Sequence, residues 1–592
     1  MISLTDEQEA IVNDDFHQLV VACPGSGKTR VLTARVARGV QELSSIHRRV
    51  AAVTFTHRAA DEVEARLRNL NLETGRVWAG TIHAFALEWV LRPYAGYSKR
   101  LRRGFTVAGE RYTDVLKEDL RRQHGLGQYD EVPTKPRRDG SFGGGTSGAQ
   151  SAAKDYHRRL REEKLIDFDL ILYLGYKLCA RHPAIAANLA NVFELICVDE
   201  YQDTQDLQYA LLGQIMQAAT DTTVFLVGDP DQAIFASLGG VARTRDEIAQ
   251  EFSLTQLPEQ PLTGNFRSTQ RMIDFYLQFR AAGGGIVSRT GYANEPGTIT
   301  FENQTVARDD VPHRITELLR EHLDGGGAPS DACVVAPQWK LLAPLARQLA
   351  ARLPGVPFNA PGLSPIPRRE DDIWYNVTRL FLTLPGPESF HRRLRWAQKV
   401  AEMFERETGV PLGSTFETPR SILRLQNGIT SPRADAIDFL QDVLPKFVTG
   451  LGVDLTTSLR LVASLRSFLD GARARLSREE FEDVPRDLDT VRSMFTRPSG
   501  VVVHTCQGVK GEEYETVICF SLLHGMVPHW ESIFDTSTDE EAEARRLLYV
   551  VASRAKRRLH LISESGRRTR KGKAYRTTSL LAASSFTFDD AV

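Results

Sequence analysis

QLVVACPGSGKTR, residues 18–30, passes from an apolar run through a short loop into Gly27-Lys28-Thr29, the pattern of a strand that turns and opens a helix. Phosphate chemistry accounts for each residue type in it. The loop Ala22, Cys23, Pro24, Gly25, Ser26 and Gly27 lets backbone N–H groups converge on phosphate oxygens, and the N-terminus of the following helix adds partial positive charge. Lys28 is placed to reach the β- and γ-phosphates, and the Thr29 hydroxyl to coordinate Mg²⁺. Ala22 stands where the GxxxxGK[ST] pattern has its first glycine. A glycine-rich turn alone is more often just a turn. The strand before it, the helix after it and the Lys-Thr pair together make a nucleotide phosphate the expected ligand.

Similar β-branched runs recur outward from this stretch: RVAAVTFT, VFELICVDE and TTVFLVGD, then DACVVAP, GVVVHTC, YETVICFS and RRLHLIS. Alternating with amphipathic segments, they read as buried strands of parallel sheets wrapped by helices, so the expected fold class is α/β. They form two groups, residues 19–228 and 298–563, which predicts two α/β halves. The stretches 87–190 and 389–496 lack such runs and carry helical spacing, predicting a mainly helical insertion in each half. The first insertion contains PRRDGSFGGGTSGAQS, expected as a flexible connector.

The 592 residues suffice for roughly four domains. With 74 Lys+Arg against 75 Asp+Glu, a polycation that holds nucleic acid by overall charge is excluded. Any such binding must come from segregated charge. Residues 99–138 hold eleven Lys/Arg against six acids, and residues 554–576 hold ten against the single acid Glu564. The second run reads either as a solvated tail or, with the first, as a surface for phosphates. The six cysteines are scattered without metal spacing, as buried reduced thiols of a cytosolic protein would be. MISLTDEQEAIVNDD lacks the basic and apolar regions of a signal peptide, and no apolar run approaches the ~20 residues of a membrane span, so the expected location is cytoplasmic.

A phosphate loop needs a carboxylate for its metal, and FELICVDEYQDTQ supplies Asp199, with Glu200 beside it to orient and deprotonate the attacking water. The other reading of an acidic pair after a strand is a helix cap or a solvated turn. In TTVFLVGDPDQAIF, Gln232 is the candidate sensor of the γ-phosphate. Charge on the transferring phosphoryl group calls for arginine, and Arg267 in LTGNFRST and Arg554 in RRLLYVVASRAKRR are the candidates, although most arginines are solvated surface residues.

Taken in order, LTDEQEAIV, ACPGSGKTR, VTFTHRAADEV, GTIHAF, LIDFDLIL, VDEYQDTQDLQ, VGDPDQAIF, LTGNFRS, VVVHTCQGVKGEEYETV and EARRLLYVVASRA resemble the UvrD/Rep type of superfamily 1 DNA helicases. The resemblance covers most of both halves. It implies two RecA-like motor domains with ATP bound between them, each with an inserted subdomain, and ATP-driven translocation on single-stranded DNA, typically 3′ to 5′, with unwinding of tailed duplexes. The domains would then be 1–86 with 191–270, interrupted by 87–190, and 271–388 with 497–592, interrupted by a reduced insertion at 389–496.

The same resemblance implies that Gln8 reads the adenine edge and that Arg30 and Phe266 sandwich the base. It makes Arg267 and Arg554 the γ-phosphate arginines and sets Glu513 near the ribose and phosphates. The DNA-facing candidates are Phe55, Thr56, His57, Thr81, His83 and, in the second half, Thr505, since rings stack on bases and hydroxyls bond phosphate oxygens. Core packing or capping is the other reading of each, and Phe55 fits burial as well as base contact.

Three departures bear on function. Ala236-Ser237-Leu238-Gly239-Gly240 stands where relatives have an aromatic residue followed by Arg and Gly-Ala; Gln507 replaces a frequent His; and the second insertion is short. These favour, as an alternative, an ATP-hydrolysing DNA sensor or regulatory subunit of repair or phage defence that unwinds weakly by itself. A third reading, a P-loop small-molecule kinase, predicts ATP turnover indifferent to DNA.

Overall fold

The computed structural model describes residues 3–70, 74–127, 130–234, 243–281, 283–360, 364, 366, 372–408, 419–456, 458–477, 486–496, 500–529, 533, 539–569 and 571–590. The chain divides into two compact units, Met1–Glu295 and Pro296–Val592.

The first unit is built on six strands, β1 Gln18–Ala22, β2 Arg49–Thr54, β3 Val77–Thr81, β4 Phe193–Asp199, β5 Thr223–Gly228 and β6 Glu259–Leu262. All pair in parallel, in the order β3-β2-β4-β5-β1-β6. Side chains alternate across a strand, and here both faces are buried. Val20, Ala22, Val50, Ala52, Leu195, Cys197, Phe225 and Val227 pack with Val31 and Leu32 of the helix Lys28–Glu42. Leu19, Ala51, Val53, Ile196, Val198, Val224 and Leu226 pack with the insertion and with the helix Asp206–Gln217. Because the strands are parallel, β1, β4 and β5 end at one edge, and the turns beyond them are brought together.

The first insertion is mainly helical, as expected, with helices Glu110–Gln123, Ser147–Glu162, Phe168–Arg181 and Pro183–Val192. Its connector is not free. Arg138 bonds Asp206 at 2.7 Å and Glu251 at 2.8 Å, and Arg243 joins the same two carboxylates. Phe142 stacks on His157 with ring centroids 4.5 Å apart. The expected flexible segment is therefore pinned at both the charged and the aromatic residue.

The division after Glu295 lies beyond the expected boundary at residue 270. Gly264–Asn265 pairs in parallel with Val287–Ser288, and the buried helix Gln270–Leu277 lies between them in sequence, so 264–295 belongs with the first unit.

The second unit has strands β7 Thr298–Ala307, β8 Ala332–Ala336, β9 Phe358–Asn359, β10 Val501–Thr505, β11 Tyr514–Cys519 and β12 Ala555–Ser565. They too are parallel, in the order β7-β12-β11-β8-β10-β9. Its helical part has a core of its own, running from Ile366 to Val491. The helix Ile373–Leu382 belongs to that core, so the helical part begins before the expected residue 389.

The basic run 554–576 is not a tail. Its first half is β12, where Lys556 pairs with Glu513 at 3.0 Å and Arg557 with Glu515 at 3.2 Å. Its one acid, Glu564, is fully buried and holds Arg567 and Ser521. All six cysteines are buried and free, as expected. No helix among the described residues is long and apolar enough to cross a membrane.

His560 on β12 is 3% exposed, with Nδ1 2.9 Å from the Thr300 hydroxyl. Burial, then Arg314 and Arg558, lowers its pKa from 6.5 to about 4. A depressed histidine stabilises the fold fully above its unfolded pKa and loses that contribution as pH falls through the native one. Between pH 6.5 and 4 the chain should lose up to about 3 kcal/mol from this residue. Denaturant unfolding of a His560→Gln protein should show a correspondingly flatter acid limb; an unchanged limb would remove His560 as its source.

Candidate nucleotide and nucleic-acid site

The loop after β1 turns on two glycines with positive φ, Gly25 at +69° and Gly27 at +81°. A Cβ at Gly25 would lie 2.7 Å from the Cβ of Arg267, so only glycine fits there. Gly27 caps the helix Lys28–Glu42 without a side-chain hydrogen bond. The first-turn N–H groups that cannot pair within a helix are therefore offered at the loop. Ser26 is 1% exposed, and its Oγ is buried without a hydrogen-bond partner. A cradle of unsatisfied donors around a helix N-terminus fits a phosphate chain. Cys23 is packed inward, its Sγ 3.7 Å from the Gly264 carbonyl, and burial pushes its thiol up to about 12, so it supplies backbone and not chemistry.

Lys28 Nζ lies 3.3 Å from the Glu200 carboxylate. Glu200 follows the end of β4 with φ +50°, a left-handed conformation uncommon for a non-glycine residue and often found at functional sites. From Glu200 a hydrogen-bonded chain crosses the strand ends. Gln202 Nε2 donates to Glu200 at 2.5 Å, Asp229 N donates to Gln202 Oε1 at 3.0 Å, and Gln232 Nε2 donates to Asp229 Oδ2 at 2.7 Å. The structure thus brings together Lys28, Glu200 and Gln232, and adds Gln202 and Asp229, which were not singled out from the sequence. Asp199 is buried beside Glu200; burial first, then that neighbour, raises its pKa, with Lys28 opposing. A buried carboxylate next to another, within electrostatic reach of Lys28 of the loop, fits a divalent cation. Among the described residues no group of three or more His, Cys, Asp or Glu could hold a metal by itself, so such an ion would take its other ligands from Thr29, water and phosphate.

Asn265 is the main residue that the sequence reading missed. It is fully buried, and its side chain makes four hydrogen bonds. Nδ2 donates to the Pro24 carbonyl at 2.6 Å and lies 3.0 Å from the Tyr276 hydroxyl, while Oδ1 accepts from the N–H groups of Arg267 and Ser268, both at 2.8 Å. Phe266 N donates to the Gly25 carbonyl at 2.8 Å. The segment 265–268 is thereby fixed to the phosphate loop, and Arg267, 7% exposed, starts from that loop. Gln8 is fully buried, with Nε2 donating to the Ser26 carbonyl at 2.9 Å and Oε1 accepting from Thr5 N at 3.2 Å. Each end of its amide keeps further capacity for an adenine edge. Arg30 and Phe266 are exposed.

The profile of the UvrD/REP helicase N-terminal domain matches residues 4–137 and 144–253, and that of the UvrD-like helicase C-terminal domain matches residues 455–566. The chain belongs to the UvrD/Rep helicase family. It is 30% identical over 286 residues to the ATP-dependent DNA helicase PcrA of Leuconostoc citreum, a match covering 45% of this chain and 37% of that protein. It is 24% identical over 648 residues to the ATP-dependent DNA helicase PcrA of Staphylococcus epidermidis, covering 95% of this chain and 83% of that protein. The protein of the same name from Staphylococcus aureus is 24% identical over 658 residues, with the same shares.

In this helicase the DNA-facing candidates of the first unit gather beyond β2 and β3. Phe55 is 37% exposed, so it is not a core residue. Thr56 caps the helix His57–Asn69 by accepting from Ala59 N, and Thr81 caps Ile82–Phe85 by accepting from Ala84 N. Thr505, the last residue of β10, likewise accepts from Gly508 N at 3.2 Å. Capping uses the lone pairs and leaves the hydroxyl protons of Thr56 and Thr81 for a phosphate oxygen, so the two readings are compatible there, while Thr505 Oγ1 also lies 3.4 Å from His504 Nδ1. His83 makes an edge contact with Phe168 at 5.7 Å. The His57 side chain and Ala236–Gly240 lie outside the described residues.

In the second unit Arg554 is 1% exposed, donating to the carbonyls of Val550 and Glu512 and to the Ser553 hydroxyl. Glu513 is close by, held by Lys556.

Proposed function

We propose that this protein is an ATP-dependent DNA helicase that moves along single-stranded DNA in the 3′-to-5′ direction and separates tailed duplexes. The observation that carries the reading is the hydrogen-bonded chain Lys28–Glu200–Gln202–Asp229–Gln232, which links the phosphate loop to the carboxylates and to the turn after β5. Phosphate entering the loop competes with Glu200 for Lys28, because a phosphate carries more charge than the carboxylate it displaces. Release of Lys28 frees Glu200 to accept a proton from the attacking water, and the change passes through Gln202 and Asp229 to Gln232. Arg267 and Arg554 stabilise charge on the transferring phosphoryl group. Mg²⁺, held by Thr29, Asp199 and the nucleotide, would neutralise charge on the β- and γ-phosphates. Gln8, Arg30 and Phe266 hold the base, and Glu513 contributes beside the ribose and phosphates. Phe55, Thr56, His57, Thr81, His83 and Thr505 hold the strand.

ATP turnover should rise at least about tenfold with single-stranded DNA, as coupling of strand grip to hydrolysis requires. A 3′-tailed duplex should be opened and a 5′-tailed one left intact. Turnover indifferent to DNA would return the small-molecule kinase reading. Stimulated turnover without strand displacement would favour the sensor reading, which rests on Ala236-Ser237-Leu238-Gly239-Gly240 replacing the aromatic-Arg pair.

A further inference from the structure

The helical insertion of the first unit encloses a pocket of about 730 Å³, within the range of small-ligand sites. Lys99, Arg100, Lys154, Arg161, Lys177 and Arg181 line it, with Arg158 as a seventh cation and no carboxylate in the lining. Among the described residues only Arg158 of the seven is ion-paired, to Asp155 and Glu162. Asp167 acts on Arg100 from outside the lining, yet the cations outnumber the acids around this concavity, and such a surplus focuses a field that attracts an anion.

Two buried nitrogens at the pocket lack partners, a ring acceptor on His157 and a guanidinium donor on Arg100, and only the second suits an anion. His157 is 7% exposed; its Nε2 lies 2.8 Å from the Thr134 carbonyl, and its Nδ1 is buried without a hydrogen-bond partner. Arg100 Nε is buried in the same state, while Nη2 donates to the Leu165 carbonyl at 3.3 Å. Burial, then Arg161, lowers the pKa of Arg100 to about 10, an environment an anion would relieve. Flat rings stand beside these cations. Phe142 is stacked on His157, and Tyr97, 64% exposed, lies 5.2 Å from the His182 ring. Phosphate beside cations and a base against rings is how nucleotides are held without sequence preference.

We propose that this pocket is a second nucleotide site, apart from the phosphate loop, that takes a terminal phosphate together with the base of the same nucleotide. Two sources offer that chemistry, a free nucleotide and the 5′-phosphorylated end of a DNA strand. None of the lining residues belongs to the loop 22–30 or to the carboxylates of β4.

Calorimetric titration of the full chain carrying Lys28→Ala separates this site from the motor. The probes are ADP, a 5′-phosphorylated tetrathymidylate and its 5′-hydroxyl counterpart. Adding Lys154→Glu and Arg161→Glu should weaken the bound probe by about tenfold or more, since each reversal removes a charge-assisted contact. Both residues are exposed and lack a carboxylate partner among the described residues, so the fold should persist. An Arg181→Ala protein gives a second, milder variant expected to lose affinity in the same direction. Tighter binding of ADP identifies the free nucleotide as the source, and tighter binding of the 5′-phosphorylated strand identifies the strand end. Equal binding of the phosphorylated and hydroxyl strands without ADP binding would reduce the pocket to ordinary backbone contact. Affinities that change by less than about threefold in all variants would also overturn the proposal.

Discussion

A Glu200→Gln protein should bind ATP and single-stranded DNA as the parent chain does, yet hydrolyse ATP about 10²–10⁴-fold more slowly. The substitution keeps the shape of the side chain and an oxygen able to accept from Gln202 Nε2, so the chain toward Asp229 survives. It removes the basic oxygen that would take a proton from water, and it removes the charge that holds Lys28 at 3.3 Å. Lys28 set free favours nucleotide binding, so the loss should fall on kcat while KM for ATP stays level or drops. Steady-state hydrolysis at saturating DNA, beside equilibrium binding of a nucleotide, reads the two effects apart. A kcat within about threefold of the parent would remove Glu200 as the base.

The strands buried on both faces were legible because nothing but parallel-sheet burial explains runs such as LVVA, AAVT and LICV between polar segments. The edge strands were not. β6 carries Pro261 among polar residues and pairs only with β1, and an edge position tolerates a residue that cannot donate to a ladder. β3 mixes Trp78 and Gly80 and is buried only toward its end, so its pattern is that of a turn. The loop 22–30 and the acidic pair 199–200 could be read because each lies within a few residues of its own strand. The connector at 136–151 was misread because composition reports local freedom, whereas Arg138 is held by Asp206 and Glu251, 68 and 113 residues away. The solvated-tail reading of the basic run after Arg554 failed for the same reason, since the run begins as strand β12 and three of its bases pair with Glu513, Glu515 and the buried Glu564.

Asn265 follows that rule. Its bonds to Arg267 and Ser268 are a local Asx turn, a known habit of asparagine, while those to Pro24 and Tyr276 needed the fold. An Asn265→Ala protein should be less stable by about 2–4 kcal/mol, because four buried partners lose a hydrogen bond at once. The larger effect should be on turnover. In the proposed function Arg267 acts on the nucleotide from a backbone that Asn265 ties to Pro24, and misplacement of such a group by about 1 Å costs about 10²-fold. Asn265 acts through Arg267, so the ATPase of Asn265→Ala should resemble that of Arg267→Ala, and the double variant should lose little more than either alone. Denaturant unfolding measures the first effect, and DNA-stimulated hydrolysis of the three variants measures the second. Additive losses in the double variant would show that the asparagine serves stability alone.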